Sequence, residues 1–301
     1  MRFTTLCVLF TFLCGCQREH GFTLKSDAGN VVKNGVKEGK WIEYYDADGR
    51  LVKDSNRSFY YTLIEYQAGV QTGYSNSFYR NGMPYKVNRY ENGEKEGLEK
   101  EYFPNGQLSR ETENTQGFKN GVENIYYEDG NLKIEHSYKQ GKKNGIERYF
   151  YKSGKLMYTY TFINDKEDGV QKWYYESGAL RQEIPYVDGM RNGIKKGYFE
   201  DGTIARISPF TNDREDGDEV WYYPNGKIKN ITPCTNGVIN GTEKEFYENG
   251  NPEYERPYKN GKKNGKFILY YDSGKKKNEV SYTNDSITGT VNYDQNGNEI
   301  K

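Results

Sequence analysis

Histidine is almost missing from this chain of 301 residues, which holds only His20 and His136. No Ser, His and Asp set and no Cys and His pair recurs at a useful spacing, so triad catalysis has no material to work with. Cysteine is as scarce, and three of the four, Cys7, Cys14 and Cys16, stand near the amino terminus. Cys234 is then alone, which excludes an intrachain disulfide framework. Net charge is absent too, with 43 Lys and Arg against 43 Asp and Glu. That balance argues against nucleic acid as a partner. After Leu13 no apolar run is long enough to span a bilayer. Neither a metal nor a cofactor is expected.

What the chain has in plenty is tyrosine, 30 residues within an aromatic content of 16%, against a hydrophobic content of only 34%. The rings recur with a period. A glycine ahead of a charged run falls at Gly73, Gly97, Gly121, Gly145, Gly169, Gly193, Gly217, Gly241, Gly265 and Gly289, each 24 residues after the last. An earlier copy at Gly39 lies 34 residues before Gly73, which places an insertion around Lys53 to Tyr61. A period of roughly 20 to 50 residues marks an array whose units cannot bury their apolar faces alone.

Each copy is written as a hairpin. With the glycine as position 0, an Asn-Gly, Asp-Gly or Ser-Gly pair at positions 8 and 9, as at Gly106, Gly130 and Gly154, predicts a two-residue turn with positive φ. Cross-strand partners then have positions summing to 17. That register sets Lys100 against Glu111, Lys172 against Glu183, Lys244 against Glu255, Val220 against Ile231, Ile125 against Ile134 and Tyr149 against Tyr158. Alternation puts positions 4, 6, 11, 13 and 17 on one face, taken as the core, with rings such as Tyr151 and Tyr175 at position 6. The ring at position 17 covers the anchor glycine across the strands. Cys234 occupies that place and reads as a buried filler. Pro185, Pro209, Pro233 and Pro257 at position 16 are expected to end the second strand, and the Gly or Asp of the next loop, as at Gly189 and Asp213, to make a left-handed turn. The expected fold class is all-β, an elongated array of 24-residue β-hairpin repeats in an open sheet or solenoid.

The second face carries the Lys and Glu ladder at positions 3 and 14 and a ring at position 5: Tyr102, Tyr126, Phe150, Tyr174, Tyr198, Tyr222, Phe246 and Tyr270. This row is the candidate binding strip, for a protein partner or a glycan. The competing reading packs the rings on their neighbours and on Lys stems, stiffening the sheet. The acidic loops 164–169 and 212–217 place Lys166 and Arg214 where a calcium loop needs oxygen ligands, so they read as turns. Glu123 and Glu147, the imaginable acid and base, are expected on a solvated strand. No catalytic residue is assigned, and a cryptic hydrolase is only the third class considered.

The amino terminus stands apart. Arg2 is followed by a mostly apolar stretch from Phe3 to Leu13 and then Cys14-Gly15-Cys16, which resembles a bacterial lipobox. Residues 1–15 read as a lipoprotein signal peptide, Cys16 as the lipidated residue, 16–32 as a tether and 33–301 as the repeat domain of about eleven copies. The location implied is the bacterial cell envelope, on the periplasmic side or the cell surface, with membrane contact through the lipid.

The pattern Gly, four variable residues, Tyr-Tyr, two residues, Gly, one residue, Leu, as in Gly121 to Leu132 and Gly169 to Leu180, resembles the variant MORN repeat. The resemblance covers about residues 35 to 301. It implies a non-catalytic repeat scaffold that presents a binding surface. Chains of this variant are commonly grouped as the YwqK-type antitoxin family of bacterial toxin–antitoxin systems, so the resemblance implies a toxin-neutralising role as the alternative.

Overall fold

In the computed structural model residues 23–300 are described; the signal segment, Cys16 and His20 lie outside them. The described chain is all-β, hairpin after hairpin, and its helical turns are the short 3-10 segments Lys25–Asp27 and Ser55–Arg57. It falls into two compact units, one running to Lys143 and including Lys152–Gly154, the other made of Asn144–Tyr151 and Lys155 onward. Each is an open antiparallel sheet.

In the second unit the strand Gly169–Tyr174 pairs with Leu180–Val187. The expected register holds from Gly169 opposite Tyr186 to Trp173 opposite Gln182, then slips by one so that Tyr174 faces Leu180. The turn explains the slip. Tyr175 N–H donates to Ala179 O at 2.9 Å and Gly178 N–H to Tyr175 O at 2.9 Å, closing a three-residue loop, 176–178. Within that loop only Gly178 has positive φ, at 97°. This is the loop in which one left-handed residue absorbs a bulge, in place of the expected two-residue turn. The two-residue turn sits in the other connection, where Asp188 at φ 51° and Gly189 at φ 87° join Val187 to Met190.

The pairing then jumps from Tyr186 opposite Arg191 to Glu183 opposite Lys196, with Gly193 at φ 117° inside the jump. That bulge corrects the reading of the prolines. The strands Leu180–Val187, Ile204–Thr211, Ile228–Thr235 and Pro252–Lys259 run through Pro185, Pro209, Pro233 and Pro257 and do not end there. At the equivalent Thr161 the backbone N–H donates to the Gln171 side-chain oxygen at 2.9 Å, so a side chain stands where a ladder acceptor would be. Proline removes the donor altogether.

In the first unit Val36–Tyr45 pairs with Tyr60–Gln67, Gly39 opposite Tyr66. The inserted residues therefore lie within 46–59, a connection that includes the short strand Leu51–Val52 paired with Tyr44 and Tyr45, and Tyr60 and Tyr61 already belong to the next strand. Tyr61 and Leu63 form the apolar centre, with Ala28, Ile42, Tyr44 and Phe78 against them. Gly29 N–H donates to Lys40 O at 2.9 Å, so the chain joins the sheet ahead of the expected boundary at residue 33.

The inward face has the expected parity, but its buried centre is polar. Glu99 and Glu123 in the first unit are 8% and 3% exposed, and Glu147 and Gln171 in the second are 2% and 0%. All four occupy position 2, so the expectation of a solvated Glu123 and Glu147 is overturned. Long cationic side chains fold over them: Lys86 and Lys95 pair with Glu99, and Lys119 reaches Glu123 at 2.6 Å. The position-6 rings, expected to fill the core, are only half-buried. Their hydroxyls clamp consecutive copies, Tyr79 donating to Tyr102 O at 2.9 Å and Tyr175 to Tyr198 O at 2.8 Å.

Candidate functional site

The ring row at position 5 comes from the last residue of each first strand, just before the three-residue loop. In the first unit it holds Tyr102 and Tyr126, and in the second Phe150, Tyr174, Tyr198, Tyr222, Phe246 and Tyr270; all are half-buried. Alternation places these rings on the face opposite the buried glutamates, beside positions 3 and 14.

The ladder pairs expected within a hairpin are backbone partners, Lys172 opposite Glu183 and Val220 opposite Ile231. Lys244 and Glu255 also meet through their side chains, at 3.5 Å, but Glu111 and Glu183 reach forward into the next copy. Glu183 accepts from the Tyr198 hydroxyl at 2.8 Å and from Lys196 at 3.2 Å. Glu111 accepts from Tyr126 at 2.6 Å and from Asn124 at 3.1 Å, and Glu255 from Tyr270 at 3.4 Å. A forward carboxylate thus fixes the polar end of a ring whose body lies on the surface. Burial and then the Glu111 hydrogen bond push the Tyr126 phenol up to about 12, and burial and then Glu183 do the same for Tyr198. Both phenols stay protonated at neutral pH and keep donating. The sequence carries a signal for this, a constant separation of 15 residues from Glu to Tyr, which the within-hairpin register passes over.

Beside the rings the same face exposes aliphatic side chains at position 1. Leu98 and Val122 stand there in the first unit, Val170 and Ile194 in the second. An open recess of about 190 Å³ lies between Tyr74 and Tyr102 in the first unit, over Val87 and Leu98 and beside Arg89 and Lys100.

The imagined acid and base, Glu123 and Glu147, are both buried. Glu123 has Thr112 at 3.2 Å, Lys119 at 2.6 Å and His136 at 4.0 Å around it. Burial raises its pKa, but the Lys119, Arg110 and His136 charges outweigh that and hold the carboxyl below its usual range. It is a stabilised carboxylate inside the sheet. Among the described residues no group of His, Cys, Asp and Glu is arranged to hold a metal. The acidic loops are turns: Asp213 accepts from the backbone N–H of Arg191 at 2.9 Å, and Asp168 from that of Asp188 at 3.2 Å. Cys234 is buried opposite Gly217, and burial, then the charge of Glu215, raises its thiol pKa. It is the expected filler.

A family model described as MORN repeat variant matches residues 95–113, 119–140, 143–164, 167–188, 191–212, 215–233, 239–260 and 263–284. No curated protein matches. Among solved structures, the Photorhabdus luminescens Tc holotoxin pore is 13% identical over 89% of this chain and 16% of that one, with a TM-score of 0.15. The crystal structure of TcdB2-TccC3-Cdc42 is 11% identical over 84% of this chain and 16% of that one, with a TM-score of 0.13. The chain spans 16% of the length of either.

Proposed function

This chain belongs to the MORN repeat variant family, and from that premise we propose that it is a non-catalytic repeat scaffold whose position-5 ring face binds a partner protein at the bacterial envelope. The observation that carries the reading is the fixing of ring hydroxyls by built-in carboxylates, Tyr126 on Glu111 and Tyr198 on Glu183, beside exposed aliphatics. Amphipathic rings held in place lose little entropy when a partner covers them, which is why tyrosine anchors so many interfaces. The Cys14-Gly15-Cys16 ending of the apolar stretch supports a lipid anchor on Cys16.

A soluble form beginning at Gln17 serves as bait in envelope extract. Tyr174→Ala with Tyr198→Ala should keep a cooperative melt and lose the recovered partner; a variant that still recovers it, or that no longer melts cooperatively, defeats the reading. Fatty-acid labelling that is present in wild type and lost in Cys16→Ser tests the anchor.

A further inference from the structure

The ladder row has a gap in the first unit. Where a later copy has a carboxylate at position 14 it can reach the next copy's residues at positions 3 and 5: Glu111 takes Asn124 and Tyr126, and Glu183 takes Lys196 and Tyr198, whereas Thr159, Ile207 and Ile231 hold that position in other copies of the second unit. The same register sets Val87 opposite Lys100. Val87 therefore stands where the carboxylate would be, and the recess of about 190 Å³ opens there. Glu111, the neighbour of Lys100 across the hairpin, is turned toward Asn124 and Tyr126. Lys100 thus stands without the forward carboxylate that Lys196 has in Glu183 at 3.2 Å. Arg89, whose guanidinium lies 3.6 Å from Glu91, adds a second cation at the rim, and no acidic residue lines the recess.

We propose that this recess is a binding site for a glutamate side chain on an extended, acidic segment of the partner protein, which supplies in trans the carboxylate that Glu183 supplies in cis. The proposal rests on reading the ring face as the binding face. A glutamate has the length of the side chain that fills the equivalent place in later copies. Val87 and Leu98 offer an apolar floor to the stem and to a neighbouring aliphatic residue, while Lys100 and Arg89 meet the charge. Extended peptide suits the face, because its alternate side chains project to one side.

The probe is a fluorescein-labelled peptide of alternating Glu and Leu, compared by anisotropy at low salt with the same peptide carrying Gln for Glu. The Glu peptide should bind saturably, and replacing Glu by Gln should weaken it by about tenfold or more. Lys100→Gln should weaken it similarly. Val87→Glu should abolish binding by filling the recess from within, and its urea melt should be at least as stable as wild type. Lys196→Gln, where Glu183 is built in, should change nothing. Equal binding of both peptides, binding that survives Val87→Glu, or no saturable binding of the Glu peptide below about 1 mM overturns the proposal. The two readings fail separately. An envelope partner still lost by Tyr174→Ala with Tyr198→Ala while the peptide does not bind removes only the recess; a peptide that behaves as expected with no partner lost removes only the strip in the second unit.

Discussion

Pro185 Cγ lies 2.8 Å from where a Cβ on Gly193 would stand, so the proline of one copy roofs the anchor glycine of the next. The relation recurs for Pro209 over Gly217 at 3.0 Å and Pro233 over Gly241 at 2.9 Å. Gly193 also has φ 117°, which an L side chain rarely adopts. Gly193→Ala should therefore cost about 1–3 kcal/mol, read as a fall in urea midpoint. Gly289 holds the same repeat position without positive φ, and its nearest neighbour would be Ser281 Cβ at 4.0 Å. Gly289→Ala should be close to neutral, and equal losses at the two sites would refute the roofing argument.

The bulge predicts a specific coupling. Gln171→Ala strips the Thr161 N–H of the acceptor now 2.9 Å away and should cost about 1–3 kcal/mol. Thr161→Pro removes that donor in the way Pro185 does. In the Thr161→Pro background the Gln171→Ala loss should shrink to about half or less, measured by a double-mutant cycle; strictly additive losses would show that the amide does not serve this N–H.

The position-6 hydroxyl clamp predicts that Tyr175→Phe loses about 0.5–1.5 kcal/mol, because one hydrogen bond to Tyr198 O disappears while the ring stays. Phe199 lacks that hydroxyl already. Introducing it with Phe199→Tyr should recover part of the loss, and a Tyr175→Phe protein that melts like wild type argues that the ring alone carries the contact.

The forward reach of Glu183 can be weighed against its within-hairpin partner. A double-mutant cycle of Glu183→Gln with Lys196→Gln should give a coupling of about 0.3–1 kcal/mol, larger than the cycle with Lys172→Gln. The reverse order would return the pairing to the hairpin.

Acid should unfold the first unit through its buried carboxylates. Burial raises the pKa of Glu99 and Glu123, but Lys86 and Lys95 around Glu99, and Lys119, Arg110 and His136 around Glu123, outweigh it and lower both. A folded pKa below the unfolded one gives stability that is fully present above about pH 4.3 and lost as pH falls through the folded value. The urea midpoint should therefore decline below about pH 4.3, and Glu123→Gln should flatten that decline. An unchanged acid limb in the variant would place the titration elsewhere.

The sequence by itself determined the period, the all-β class and the pairing of positions 0 to 4 with 17 to 13. Gly169 opposite Tyr186 and Tyr149 opposite Tyr158 could be read directly, because strand alternation and turn residues are local properties. Alternation also put the position-5 rings on the same face as the ladder at positions 3 and 14. It could not choose between turn types, since an Asn-Gly or Ser-Gly pair suits both a two-residue turn and the last two residues of a three-residue loop. Strand twist and the bulge it requires made that choice.

Only the tertiary structure decided which face residues are buried and which partners they take. Glu147 looks like any solvated strand carboxylate, yet it is 2% exposed, and Lys95 and Lys119 cover its counterparts Glu99 and Glu123 from neighbouring positions. Burial of a polar row depends on the side chains that fold over it, and these come from the preceding strand, as Lys86 does, or from across the bulge, as Lys95 and Lys119 do. The forward reach of Glu183 to Tyr198 is of the same kind: the backbone register names a neighbour, but the direction of a flexible side chain is settled by where the nearest donor lies once the copies stand side by side.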